Sequence, residues 1–181
     1  MGLSFQTSLE VKSIHLVDPS IDVINKLKKT IKDSYIPRRE IIKLHYIKGQ
    51  EVVLEKDSKI IFIAGMGGKE IGKILQHLIP QLTANDRLVI SPHRNILELR
   101  EFLASSPLRL VDETVINEDG QFYQILCLCL NDGLSKISQF GHKIWMGPLG
   151  EEYRAHQLKR YEHHQDPLSR KFLAFLTDFS S

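Results

Sequence analysis

The sequence predicts an α/β protein with a mostly parallel sheet that ends in an antiparallel hairpin. Three observations carry this. Short apolar runs alternate with helical stripes over the first hundred residues. The run Ile60-Ile61-Phe62-Ile63-Ala64 is apolar on both faces, as a central parallel strand should be. Two later strand-like runs flank Asp119-Gly120, a hairpin signal.

The elements follow in order. Ser13 to Val17 reads as a short buried strand ending at Asp18. Pro19 and Ser20 open a helix to about Lys32, with Ile24, Leu27 and Ile31 at helical spacing. Pro37 breaks the chain, and Ile41 to Ile47 forms the next strand, closed by Lys48-Gly49. Lys59 to Ala64 is the clearest strand. Four loop residues, Gly65-Met66-Gly67-Gly68, lead into a helix over Lys69 to Ile79, whose stripe Ile71, Ile74, Leu75 and Leu78 stops at Pro80. Arg87 to Ile90 is a strand, Ser91-Pro92-His93-Arg94 a loop, and Asn95 to Ser105 a helix. Leu108 to Ile116 and Phe122 to Leu130 make the hairpin. After Gly133 the pattern turns helical. Leu168, Phe172, Phe175, Leu176 and Phe179 share one face of a terminal helix that starts near Pro167. That face either docks on the core or forms a helical arm that holds a large partner. The expected division is a Rossmann-like domain over residues 1–137 and a helical extension over 138–181.

Composition narrows the function classes. The chain has 181 residues, 42% hydrophobic and 25% charged, ordinary values for a globular protein. No apolar run reaches the ~18–20 residues that span a bilayer, and the first residues lack the pattern of a signal peptide. No membrane role and a cytoplasmic location are therefore expected. The only cysteines, Cys127 and Cys129, alternate along one strand and offer too few ligands for zinc. No metal site is expected. Net charge is +2, but the first fifty residues hold nine Lys and Arg against five Asp and Glu. That excess fits either phosphate contacts or a solvated, lysine-rich helix face.

Two features point to a ligand site. The glycines of Gly65 to Gly68 sit at a strand end, where they allow positive φ and close backbone approach, and the next helix presents N–H groups to the same space. A Walker-type phosphate loop fails in detail, because no glycine stands at the required distance before Gly68 and Glu70 replaces the magnesium-binding Ser or Thr. Asp18, at the tip of an early parallel strand, can accept hydrogen bonds from the ribose hydroxyls of a nucleoside cofactor, or can cap the helix that follows.

Ile63-Ala64-Gly65-Met66-Gly67-Gly68, then Ser91-Pro92-His93 with Leu99-Arg100, then Gly120-Gln121-Phe122-Tyr123-Gln124-Ile125-Leu126 occur in this order. Over about residues 10–150 the chain thereby resembles the bacterial tRNA (adenine(22)-N1)-methyltransferases, whose corresponding segments read IAGMGG, QPN…LR and GKFYEI. The resemblance implies a class I methyltransferase fold, S-adenosyl-L-methionine as cofactor, tRNA as partner, and methyl transfer to adenine N1 by in-line displacement. It places Asp18 at the cofactor ribose, Lys48-Gly49 near its adenine, Ala64 and Gly65 against the cofactor, and Gly65, Met66, Gly67 and Gly68 between methyl donor and target base. His93 replaces the asparagine of the family segment and Lys48 replaces an acid. Asp18 and Gly65–Gly68 are expected to line one pocket at the C-terminal edge of the sheet.

The family opens with a further strand and an Asp-x-Gly-x-Asp-His loop, and only 17 residues precede Asp18 here. That strand and loop are expected to be missing, through a late start codon or a shortened protein. Weak cofactor binding, impaired methylation and self-association through exposed sheet edges would follow. Two other readings stay open: an inactive tRNA-binding remnant, and a small-molecule methyltransferase on the same fold. RNA contact is expected along Lys26, Lys28, Lys29, Lys32, Arg38 and Arg39, and along Arg154, Lys159, Arg160, Arg170 and Lys171 of the tail.

Overall fold

The computed structural model describes residues 11–131 and 134–179. The chain forms two compact units, residues 1–52 and 53–181.

Among its described residues the first unit is built on one βαβ turn. Strand β1 (Ile14–Val17) and strand β2 (Ile42–His45) pair in parallel, Ile14 opposite Ile42 and Val17 opposite His45. Helix α1 (Ile21–Asp33) is the crossover. Ser20 caps it by accepting a hydrogen bond from the Val23 N–H at 3.4 Å, and Asp22 in the first turn and Lys32 in the last suit the helix dipole. Ile24 is buried, Leu27 and Ile31 are half-buried, and the lysines between them face solvent. Short-range pattern alone placed this helix correctly, because the apolar spacing leaves only one face to bury.

The second unit carries a four-stranded sheet in the order β3-β4-β6-β5. Its strands are β3 (Ile60–Met66), β4 (Arg87–Pro92), β5 (Arg109–Glu118) and β6 (Gln121–Cys129). β3 and β4 are parallel, and β6 runs antiparallel to both β4 and β5. Asp119 and Gly120, at φ 50° and 81°, make the hairpin turn that Asp-Gly predicts. Helix α2 (Gly68–Leu78) joins β3 to β4, and helix α3 (Ile96–Ser105) follows β4. Ile63, Leu88 and Ile90 of the sheet, Ile71, Leu75 and Leu78 of α2, and Leu99 and Leu103 of α3 are buried. Cys127 and Cys129 are free thiols on β6.

One expectation needs correction. The four parallel strands do not form one ladder among the described residues: β1 pairs with β2, and β3 with β4, in two separate sheets. Apolar runs reveal that a segment is a strand, but not which strand its free edge meets. One face of β3 carries Ile60 at 52% and Phe62 at 73% exposure.

The tail folds as α4 (Lys143–Met146), α5 (Gly150–Tyr161) and α6 (Pro167–Asp178). Pro167 stands in the first turn of α6, and Asp166 accepts the Ser169 N–H at 2.9 Å. Phe172 and Leu176 are buried in one cluster with Trp145, Tyr153 and Tyr161, which also takes in Leu97 of α3 and Val115 of β5. The apolar stripe of α6 thus docks on the core of this unit. The Trp145 and Tyr153 rings stack at 5.2 Å and 13°, and Tyr161 meets Phe172 edge-on at 5.2 Å.

Candidate functional site

In the first unit, Asp18 and Lys48–Gly49 follow the C-terminal ends of the two paired strands. The Asp18 N–H donates to the His45 carbonyl at 3.1 Å, which extends the β1–β2 ladder by one step. One Asp18 carboxylate oxygen accepts the Ser20 N–H at 2.7 Å. The other has no protein partner among the described residues, so Asp18 shapes the start of α1 and keeps one oxygen for a ligand. Lys48 is exposed and Gly49 opens a single 3-10 turn, in which the Glu51 carboxylate accepts the Lys48 N–H at 3.3 Å. His15 and His45 stack at 5.0 Å and 14°.

In the second unit, the glycine segment is built differently from the four-residue loop that the sequence suggests. β3 continues to Met66, which pairs with Pro92 across a bulge at Gly65, and α2 begins at Gly68. Gly65 has φ 78° and open space around it, so its requirement is conformational. Gly68 is required for packing: a Cβ there would lie 3.0 Å from the Leu99 Cβ and closer still to the Asn95 carbonyl. Ala64 is exposed beside Gly65.

Two backbone hydrogen bonds fasten this segment to the turn after β4. The His93 N–H donates to the Met66 carbonyl at 2.9 Å, and the Gly68 N–H donates to the Arg94 carbonyl at 2.7 Å. The Glu70 and Ile71 N–H groups both donate to the Gly67 carbonyl. At the start of α2 the Gly68 N–H is thus taken up by the neighbouring turn, and the Glu70 and Ile71 bonds are those of the first helical turn. The His93 ring lies 5.1 Å from Tyr123, tilted by 54°, and its nitrogens have no hydrogen-bond partner among the described residues. Gly65–Gly68 and His93 are brought together; Asp18 and Lys48–Gly49 are brought together in the other unit.

Sequence reasoning missed the buried polar network behind this edge. Arg100 is fully buried. It donates to the Gln124 side-chain oxygen at 2.8 Å, to the Ser138 carbonyl at 3.0 Å and to the Glu113 carboxylate at 2.5 Å. The other Glu113 oxygen accepts the N–H groups of His142 and Lys143 at 2.6 and 2.8 Å. Burial opposes ionisation of Glu113, but the guanidinium and the two N–H donors outweigh it and hold the carboxyl below its ordinary range. Gln124 then donates to the Tyr153 hydroxyl at 2.8 Å. The signal was legible at one place: Arg100 sits between Leu97 and Leu103 on the buried stripe of α3, where a charge needs a partner.

Residues 3–126 match the family described as a methyltransferase domain, more than half of the chain. The chain belongs to that family. Over 78 residues, 43% of its length, this methyltransferase domain is 37% identical to the tRNA (adenine(22)-N(1))-methyltransferase of Bacillus subtilis. The match covers 33% of that relative, so the methyltransferase domain spans about a third of the length of the curated relatives it matches. Among solved structures it is similar to a candidate tRNA (m1A22) methyltransferase of Streptococcus pneumoniae, with TM-score 0.75 and 22% identity, over 92% of this chain and 81% of that one. The same Streptococcus protein in complex with S-adenosyl-L-methionine gives TM-score 0.71 and 23% identity, over 92% and 80%. These likenesses establish the Rossmann-like methyltransferase fold. Among the described residues of this methyltransferase domain no helix is long and apolar enough to cross a membrane, and no group of three or more His, Cys, Asp or Glu is placed to hold a metal ion.

Proposed function

We propose that this protein transfers a methyl group from S-adenosyl-L-methionine to N1 of an adenine in tRNA, in the cytoplasm. The observation that carries the reading is the glycine segment. A positive-φ glycine with open space around it stands at a parallel strand end, locked to the His93 turn, in a chain that belongs to the methyltransferase domain family. The 37% identity to the Bacillus subtilis enzyme over 78 residues supports tRNA as the substrate class.

The cofactor supplies an electrophilic methyl carbon, and adenine N1 supplies the lone pair, so the protein's contribution is chiefly placement. The free oxygen of Asp18 suits a ribose hydroxyl, and Lys48–Gly49 shares its strand edge for the cofactor adenine. Ala64 and Gly65 present backbone without bulk, which lets a planar base approach to contact distance. Met66, Gly67 and Gly68 hold that backbone rigid. His93 faces the same edge with unengaged nitrogens and is the residue best placed to hold a group of the substrate base. The target adenine leaves its stack to reach this edge. Residues 1–137 supply this chemistry and 138–181 the helical RNA-facing extension. Self-association through β3, whose one face carries Phe62 at 73% exposure, belongs to the same reading.

The test is direct. The chain is incubated with methyl-labelled cofactor and bacterial tRNA, the RNA is digested, and nucleosides are separated, with calorimetry of cofactor binding alongside. The reading expects 1-methyladenosine, lost in Asp18→Ala. Absence of both cofactor binding and labelled RNA would refute it.

A further inference from the structure

A cleft on the second unit reaches from His93 to the helical tail. Its walls include Arg94 from the turn after β4, Phe122 and Gln124 from the start of β6, and Tyr153 and Arg160 from α5. Arg94 and Arg160 are both exposed, and neither has a carboxylate partner among the described residues. Arg160 instead lies 5.8 Å over the Tyr161 ring. Two guanidinium groups on one cleft repel each other unless an anion sits between them.

The floor of the cleft adds a third donor. Gln124 must turn its carbonyl toward Arg100, which donates to it at 2.8 Å, so its amide nitrogen faces Tyr153. Tyr153 therefore accepts at that bond, and its own hydroxyl proton has no acceptor among the described residues. Only 3% of Tyr153 is exposed. Burial pushes the phenol up to about 12, against the lowering effect of Gln124, so it keeps its proton. The relay Glu113–Arg100–Gln124 fixes Tyr153 as a donor at the cleft rather than an acceptor.

Two unpaired cations and one fixed hydroxyl donor match an anion with several oxygens. The one anionic group of S-adenosyl-L-methionine is the carboxylate of its methionine part, and an unchanged cofactor affinity in variants of this cleft separates that carboxylate from an RNA phosphate. We propose that this cleft grips one backbone phosphate diester of the RNA, through the guanidinium groups of Arg94 and Arg160 and the Tyr153 hydroxyl. The inference rests on the RNA-methylation reading and adds where the strand is held. His93 and the glycine segment adjoin Arg94, so the gripped phosphate lies next to the nucleotide presented for methylation.

The test uses the full chain and an unmodified tRNA transcript, with binding followed by fluorescence anisotropy from about 50 to 300 mM salt. Arg94→Gln combined with Arg160→Gln touches only exposed side chains and leaves the buried relay intact. The double variant is expected to lose about tenfold in affinity at low salt, and its log–log salt slope should fall by about 1. Tyr153→Phe should weaken binding by about tenfold with the slope unchanged, because a neutral donor displaces no counterion. Cofactor affinity in calorimetry should stay at the wild-type value in both. AMP serves as the second probe: tRNA should bind far more tightly, and AMP binding here as tightly as tRNA would assign the cleft to a free nucleotide and overturn the proposal. So would an unchanged salt slope in the double variant while the wild type binds and methylates tRNA, an outcome that leaves the methyltransferase reading standing. Wild-type protein that binds neither tRNA nor cofactor would overturn both. Should Tyr153→Phe fail to fold, the arginine pair still decides.

Discussion

Replacing Arg100 by methionine tests whether the buried network organises the second unit. The thioether fills much of the volume of the arginine stem but makes none of its three hydrogen bonds, to Gln124, Ser138 and Glu113. Glu113 keeps the N–H groups of His142 and Lys143 at 2.6 and 2.8 Å but loses its buried counter-charge. Breaking a buried pair by removing one partner costs about 3–5 kcal/mol. For a unit of this size that lowers the melting temperature by about 10–20 °C. The pH dependence follows from Glu113. In the wild type its folded-state pKa is depressed, so its stabilisation is present above the unfolded value of about 4.3 and is lost as pH falls through the folded value. In the variant burial is no longer outweighed by Arg100, and the carboxylate becomes a liability that protonation relieves. The deficit in urea denaturation should therefore be largest at pH 7 and shrink toward pH 4. Adding Glu113→Gln should recover part of the loss. A deficit below about 1 kcal/mol at pH 7, or the same deficit at both pH values, would show that the pair carries no such weight.

Gly65→Ala and Gly68→Ala should each destabilise by about 1–3 kcal/mol in denaturation, for different reasons. Asparagine should rescue the positive-φ site at 65 and fail at 68, where the added Cβ meets Leu99 and Asn95. Asp86, 1% exposed, accepts from the Thr83 N–H at 2.7 Å and from the Lys59 N–H and ammonium, both at 3.0 Å. Burial opposes its ionisation, but these donors prevail and depress its pKa, so its stabilisation is lost as pH falls below about 3.9 through the folded value. Asp86→Asn should cost about 2 kcal/mol at pH 7 and flatten the acid limb of a circular-dichroism titration. Charge reversal of Lys28, Lys29 and Lys32 to Glu, all exposed on α1, should weaken tRNA binding at low salt and shift the melting temperature by no more than a degree or two. Unchanged tRNA affinity would remove this face from the RNA contact.

Local periodicity made most elements legible. The stripe of α2, the capped start of α1, the Asp-Gly hairpin and the docking face of α6 each follow from residues within one turn or one strand. The site residues that the sequence offers are those whose chemistry is local: a glycine run at a strand end, an acid after the first strand, and a histidine after β4. What escaped depends on partners far apart in sequence. Arg100 meets Glu113, Gln124 and Ser138, and no local pattern announces that combination. The same holds for strand faces. Ile60 and Phe62 look like core residues by composition, yet both are exposed on one face of β3, because burial depends on what packs over that face. Gly68 carries a requirement that local pattern does not announce: its missing side chain makes room for α3.

The pair of backbone bonds between the glycine segment and the His93 turn has a consequence for observing the site. Each amide lies on one strand-end segment and each acceptor on the other, so neither bond opens without moving the two segments relative to one another. Amide protons of Gly68 and His93 should therefore exchange with solvent deuterium as a coupled pair, at rates set by one opening event rather than two. Whatever settles at this strand edge will register as a joint slowing of two amides, readable without labelling the protein or its partner.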